Sequence, residues 1–320
     1  MRRRPGRRLA GPILGAGLVC AGLSGPSAAE EAFVTAQSAE TVDVIDLDAR
    51  RVVASIPVPG APAGIALSPD RARAYVTAPE AKALAVIDAA ARRVVRTLTL
   101  GGGPLGIAVN PVDGTVYVAD WYAKRLVVVN PGTLAVEGEI AVGTSPSGLA
   151  LTRDGRLLVA ADRDDDAVSL VDARTRERLA AIPVGTRPFG VTIDPEGRRA
   201  YTANVGSNDV SVIDLAARRE VARVPVGERP YAVALTGGRA FVTDQYGGTV
   251  STFDLATLAP GPRVTVGDYP EGIAVSRDGT RLYVANWESD TLSVIDAATL
   301  AVTGEIRTAS GPRAFGDFLR

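Results

Sequence analysis

The segment GIAVSRDGTRLYVANWESDTLSVIDAATLAVTGEI, residues 272–306, decides the reading of the whole chain. Its strand-length runs GIAVS, RLYVAN, TLSVID and LAVTGEI are divided by RDGT, ESD and AAT, and the Asp, Gly and Ser of these dividers are turn formers. The pattern predicts a four-stranded antiparallel meander. The second and third strands are apolar on consecutive residues, at 282–285 and 292–295, as expected of a sheet covered on both faces. The fourth strand is more polar in equivalent stretches, at 92–96 and 218–223, and carries Pro57, Pro183 and Pro225. Proline cannot donate to a central ladder, so this strand reads as the exposed edge, where charge and proline also oppose edge-to-edge association.

The segment recurs with a period near 42 along a chain of 320 residues. An aromatic or apolar marker falls at Phe33, Tyr75, Tyr117, Leu158, Tyr201, Phe241 and Tyr283, in steps of 42, 42, 41, 43, 40 and 42. The proline of G-x-x-P-x-G-like loops falls at Pro62, Pro104, Pro146, Pro188, Pro230, Pro270 and Pro312. An acid or amide closes a VID-like run at Asp46, Asp88, Asn130, Asp172, Asp214, Asp254 and Asp296. Three markers in register define seven repeats. Repeats of about 40 residues with four strands each are propeller blades, stacked face to face around an axis. The predicted fold is all-β: a seven-bladed β-propeller of four-stranded antiparallel blades over residues 30–320. The chain begins on a second strand near Phe33 and ends on residues 313–319, which match a first strand. Pairing of the N- and C-terminal strands is therefore expected to close the ring.

Residues 1–29 differ from everything after them. Arg2, Arg3, Arg4, Arg7 and Arg8 precede an apolar run over residues 9–23, and Ser27, Ala28 and Ala29 follow it. This is the pattern of a signal peptide cleaved before Glu30. The run contains Gly and Pro and is short for a bilayer span, so the mature chain is expected to be periplasmic or secreted, monomeric and without a membrane span. Cys20 would suit a lipid anchor, but Val19 stands where that signal needs Gly, Ala or Ser. The Arg7-Arg8 pair raises twin-arginine export, which the surrounding residues fit poorly. Losing five of 35 basic residues leaves 30 against 36 acidic ones, a net charge of −6. A nucleic-acid partner is not expected at that charge. The mature chain would also lack cysteine, which removes a disulfide framework and any thiolate metal site.

The runs YVTA at 75–78, YVAD at 117–120, YTAN at 201–204, FVTD at 241–244 and YVAN at 283–286 resemble the YVTN family of β-propeller repeats. The resemblance covers nearly the whole mature chain. It implies a seven-bladed periplasmic propeller, whereas the motif itself is structural and carries no chemistry. The family's Asn or Asp is replaced at Ala36, Ala78 and Ala161, which leaves a polar ring at that position incomplete. Related periplasmic propellers accompany quinoprotein and other redox dehydrogenases.

The chain has no histidine. That removes the usual general base and the commonest metal and haem ligand, and it excludes a Ser-His-Asp triad. A lactonase-like propeller enzyme would have to rely on carboxylates, arginine or a metal, yet no carboxylate pair stands out from the repeat. The seven acids and amides of the VID-like runs, and Asp70, Asp113, Asp154 and Asp278, read as turn residues that bond backbone groups two residues on. Asp162, Asp164, Asp165 and Asp166 crowd into one loop, but the glycine turn and ligand spacing of a calcium loop are missing. No catalytic residue, metal or cofactor is assigned.

The reading that remains is a non-catalytic binding or scaffolding platform for a protein, peptide or small ligand. The alternative is an accessory protein of periplasmic quinoprotein or other redox metabolism, or a lactonase-like propeller enzyme that works without histidine. In a meander the loops from fourth to first strand and from second to third strand share one side. Blades two to four carry small or apolar residues beside the repeat proline there, namely Ala61, Ala63, Gly103, Leu105, Ser145 and Ser147. Later blades carry Arg187, Phe189, Arg229, Tyr231, Tyr269, Glu271 and Arg313, and the only tryptophans, Trp121 and Trp287, fall in second-to-third loops of the same side. Aromatic and arginine side chains on loops are what recognition surfaces use, so these residues form the candidate ligand site at the channel mouth.

Overall fold

The structure, a computed structural model, describes Met1 and residues 30–320, so the expected leader, its cleavage point and Cys20 fall outside it apart from Met1. Strands of the described residues assemble into seven antiparallel sheets in chain order. Blade 1 contributes Glu31–Ala36, Thr41–Asp46 and Arg51–Pro57, and blades 2 to 7 occupy 64–99, 104–141, 146–183, 188–225, 230–265 and 270–307. The chain is a seven-bladed β-propeller. Second strands such as Arg73–Ala78 and Arg199–Asn204 are buried from their second residue onward, whereas fourth strands such as Arg93–Thr99 are mostly exposed. In blade 6 the fourth strand shrinks to Val264–Thr265, because Pro260 and Pro262 precede it and cannot donate to the ladder.

Each element of the repeat motif has a packing reason. The aromatic residue fills the space between blades: Tyr75 packs with Ile107, Val116 and Val118 of the next blade, and Tyr283 with Phe33 and Val34 across the closure. The Thr clamps neighbouring inner strands together. Thr77 Oγ1 donates to Leu105 O at 2.7 Å and accepts from Gly64 N at 2.8 Å; Thr243 Oγ1 donates to Glu271 O at 2.8 Å and accepts from Ala232 N at 3.0 Å. The final acid or amide tucks under the loop that starts the blade. Asp244 accepts from Gly227 N at 2.9 Å, and a Cβ on Gly227 would lie 2.2 Å from its carboxylate, which is why glycine stands in the VGxxP loops. The expected turn role of the VID-like acids holds in all seven blades, from Asp46 with Ala49 N at 2.8 Å to Asp296 with Thr299 N at 2.8 Å.

The strand register corrects one marker. Asp162 pairs with Ala167 at the end of its strand as Asp120 pairs with Arg125, so Val159, not Leu158, occupies the tyrosine position of blade 4. The polar position is therefore filled by Asp162 and interrupted only at Ala36 and Ala78. Leu158 and Val159 are both fully buried apolar residues, so hydrophobicity alone does not separate them.

Closure follows the expected pairing and adds a detail. Ala36 bridges Pro312 and Ala32 bridges Leu319, with Phe33 N donating to Phe318 O at 2.8 Å. The closing segment spends seven steps between these bridges, whereas blade 5 spends five between Pro188 and Ile193 against an equal length of second strand. The stretch that takes up these two surplus residues, Phe315–Asp317, leans into the lumen and pairs in parallel with Gly64, Ile65 and Ala66 of blade 2.

Candidate binding surfaces at the two ends of the channel

The loops that carry the sequence-predicted site meet on one face, because each second-to-third loop bonds back to the fourth-to-first loop of its own blade. Trp121 N donates to Gly103 O, Val205 N to Arg187 O, Gln245 N to Arg229 O and Trp287 N to Tyr269 O, at 2.9–3.0 Å. Ala61, Ser145, Arg187, Arg229 and Tyr269 each precede the repeat proline with φ between 52° and 57°. A left-handed conformation costs a non-glycine residue about 1–2 kcal/mol. Its recurrence at Ala61 and Ser145 marks it as part of the blade architecture.

The predicted residues separate into an inner and an outer set. Inside, the rings of Phe189, Tyr231 and Phe315 lie 4.4, 5.1 and 5.5 Å apart, with Trp121 at 6.3 Å from Phe189. Phe189, Tyr231 and Phe315 are buried and fill the middle of the channel. Glu271, also buried, holds Arg313 Nε at 2.9 Å and accepts from Gln245 Nε2 at 2.6 Å, while Arg313 Nε donates to the Tyr231 hydroxyl at 3.0 Å. Burial pushes the Glu271 carboxyl above the usual carboxylate range, against the pull of Arg313.

Outside, Tyr246, Tyr269 and Trp287 form an arc with centroid spacings of 5.4 and 6.3 Å. The Arg229 guanidinium sits 4.6 Å over the Tyr246 ring and donates to its hydroxyl at 2.7 Å. Trp287 Nε1 donates to Gln37 at 3.3 Å, and Arg163 lies 5.5 Å over Trp121. Arg187 is exposed, and its side chain has no polar partner among the described residues. Sequence reasoning passed over Gln245, Tyr246 and Phe315. The first two occupy the same loop columns as Trp121 and Tyr122, so reading those columns through all blades would have found them. Phe315 lies in the surplus of the closing segment, which no repeat column contains.

The acidic loop is consumed by its own blade and by the loop that opens the next one. Asp162 accepts from Ser169 Oγ at 2.6 Å and Arg178 Nη2 at 3.2 Å, Asp164 from Ser145 Oγ, Asp165 from Thr144 N and Asp166 from Arg187 N. Burial raises the Asp162 carboxyl to about 6 despite these donors. Among the described residues no three His, Cys, Asp or Glu are grouped to hold a metal ion.

The opposite end of the channel was not singled out from the sequence. There a cavity of about 540 Å³ runs inward between the first strands, past Ile107, Leu149, Val191, Val233 and Ile273, to Phe315. Its mouth carries Glu30, Arg71, Arg153, Arg277, Asp317 and Arg320.

The ring, its repeat motif and its two loop faces define a seven-bladed β-propeller whose repeats resemble the YVTN type. A family model described as YNCE-like beta-propeller matches residues 25–115, in agreement with that resemblance. Three solved structures share the architecture. Kuenenia stuttgartiensis hydrazine synthase aligns at 21% identity over 80% of this chain and 89% of that one, with a TM-score of 0.72. A functionally unknown protein from Desulfotomaculum acetoxidans aligns at 16% over 89% and 99%, with a TM-score of 0.76. The dihydro-heme d1 dehydrogenase NirN, in complex with DHE, aligns at 18% over 91% and 74%, with a TM-score of 0.66. At these identities the likeness is one of fold. A search of the curated proteins finds no match.

Proposed function

We propose that the chain is an exported, non-catalytic binding propeller that recognises a protein, peptide or small ligand with the outer set on its upper face: Arg187, Arg229, Tyr246, Tyr269 and Trp287. One observation carries this reading. The same left-handed loop is built in blades 2 and 4 around Ala61 and Ser145, so the fold has no need of Arg187, Arg229 or Tyr269 at the equivalent places. Large aromatic and guanidinium groups that architecture does not require, held together on rigid loops, are the usual anchors of recognition.

The inner set of Phe189, Tyr231, Glu271 and Arg313 supports that surface from below. The alternative, an accessory role in redox metabolism, draws only on proteins that share the fold at low identity. In the test, wild type and the variant Arg229→Ala/Tyr269→Ala/Trp287→Ala are immobilised side by side and exposed to native periplasmic extract. The reading expects captured material to fall at least tenfold in the variant while its melting temperature stays within about 3 °C, since surface substitutions change stability by about 0.5 kcal/mol or less each. Undiminished capture by a folded variant would refute it. A visible absorption band in the purified protein would shift weight to the redox alternative.

A further inference from the structure

We propose that the cavity at the opposite, lower end of the channel binds a small organic carboxylate with an apolar body. The volume of about 540 Å³ lies within the range of small-molecule sites, roughly 300–1,000 Å³. Phe315 lines its inner end, and Phe189 and Tyr231 pack behind Phe315 between the cavity and the upper face. Its walls are the small and branched apolar side chains of first strands, which suit an apolar body.

The charge sits at the entrance. Four guanidiniums, Arg71, Arg153, Arg277 and Arg320, stand there against the two carboxylates of Glu30 and Asp317. Arg71 is paired with Asp317 at 2.6 Å, and Arg320 with Glu31 at 2.7 Å. The side chains of Arg153 and Arg277 have neither an ion-pair nor a hydrogen-bond partner among the described residues, and the Glu30 carboxylate accepts from the backbone N of Arg277. The turns do not ask for these two residues, because Pro69, Pro111, Pro195 and Gly237 hold the same place in other blades. Two spare guanidiniums at the lip of a cavity whose wall side chains are mostly apolar select a ligand with a planar anionic head and an apolar tail, for which the arginine fork is suited.

Calorimetric titration of the mature chain with octanoate, phenylacetate and indole-3-acetate, each beside its uncharged amide, tests the assignment. At least one acid should bind at least tenfold more tightly than its amide and more tightly than sulfate, and its affinity should fall with added salt. Arg153→Ala/Arg277→Ala should bring that acid down to the level of its amide. Arg187→Ala on the upper face should leave the affinities for acid and amide unchanged. Absence of binding by all three acids, equal affinity for acid and amide, tighter binding of sulfate or wild-type affinity in the double arginine variant would each overturn the proposal. None of these results bears on capture by the upper face.

Discussion

Asp162 and Gly227 show how much of this protein is settled one residue at a time. Asp162 has 0% exposure and a carboxyl raised from 3.8 to about 6 by burial. The folded state therefore holds that proton more tightly than the unfolded chain does. Its contribution to stability is greatest below pH 3.8 and falls as pH rises to about 6, by up to about 3 kcal/mol at 1.36 kcal/mol per pH unit. Asn occupies the equivalent place at Asn204 and Asn286. We expect Asp162→Asn to fold and, in denaturant titrations at pH 3.5 and 7, to gain on wild type by up to that amount at the higher pH; an unchanged difference would show that the proton is not held. For Gly227→Ala, the new Cβ would lie 2.2 Å from the Asp244 carboxylate. Overpacking of this kind costs about 1–3 kcal/mol, readable as a lower denaturation midpoint, and a neutral result would contradict the role given to the VGxxP glycine.

At the scale of the element, the inner strands of blades 2 and 6 are each fastened to the next blade by one threonine hydroxyl, that of Thr77 or Thr243. Replacing Thr77 with Val keeps the shape but leaves Gly64 N and Leu105 O without their partner. Buried groups left unpaired cost about 1–3 kcal/mol, so we expect a lower melting temperature and faster amide exchange at Gly64; native exchange there would deny the clamp. The blade is also where the sequence was most legible. Strand order, the proline-bearing edge strand and the turn acids all follow from local chemistry that repeats every 42 residues or so. Blade 4 misled by one residue because Val159 replaces the aromatic residue beside the equally buried Leu158, and only the hydrogen-bond register tells them apart. The inner and outer sets of the upper face were equally indistinct. Phe189 and Tyr269 flank repeat prolines alike, one following and the other preceding, and the channel alone buries the first and leaves the second half-exposed.

Across the whole molecule, the ring creates features that no single blade contains. The cavity lies between first strands of several blades, and its arginines come from turns separated by more than one repeat, so no sequence window brings them together. The inner aromatic cluster likewise needs Phe315 from the closing segment beside Phe189 and Tyr231. Both faces thus depend on residues 312–320 completing blade 1, where Arg313 N donates to Thr35 O and Arg320 N to Glu31 O, each at 2.7 Å. An opened ring would expose the edge of Glu31–Ala36 and the apolar surface around Phe33 and Phe318, which favours association. The most direct measurement is thermal unfolding of the chain ending at Pro312 beside the full chain. A closed ring predicts a melting temperature lower by at least about 10 °C, with aggregation on heating, because several kcal/mol of packing are lost. A shortened chain that melts with the full one would contradict closure by the C-terminal segment.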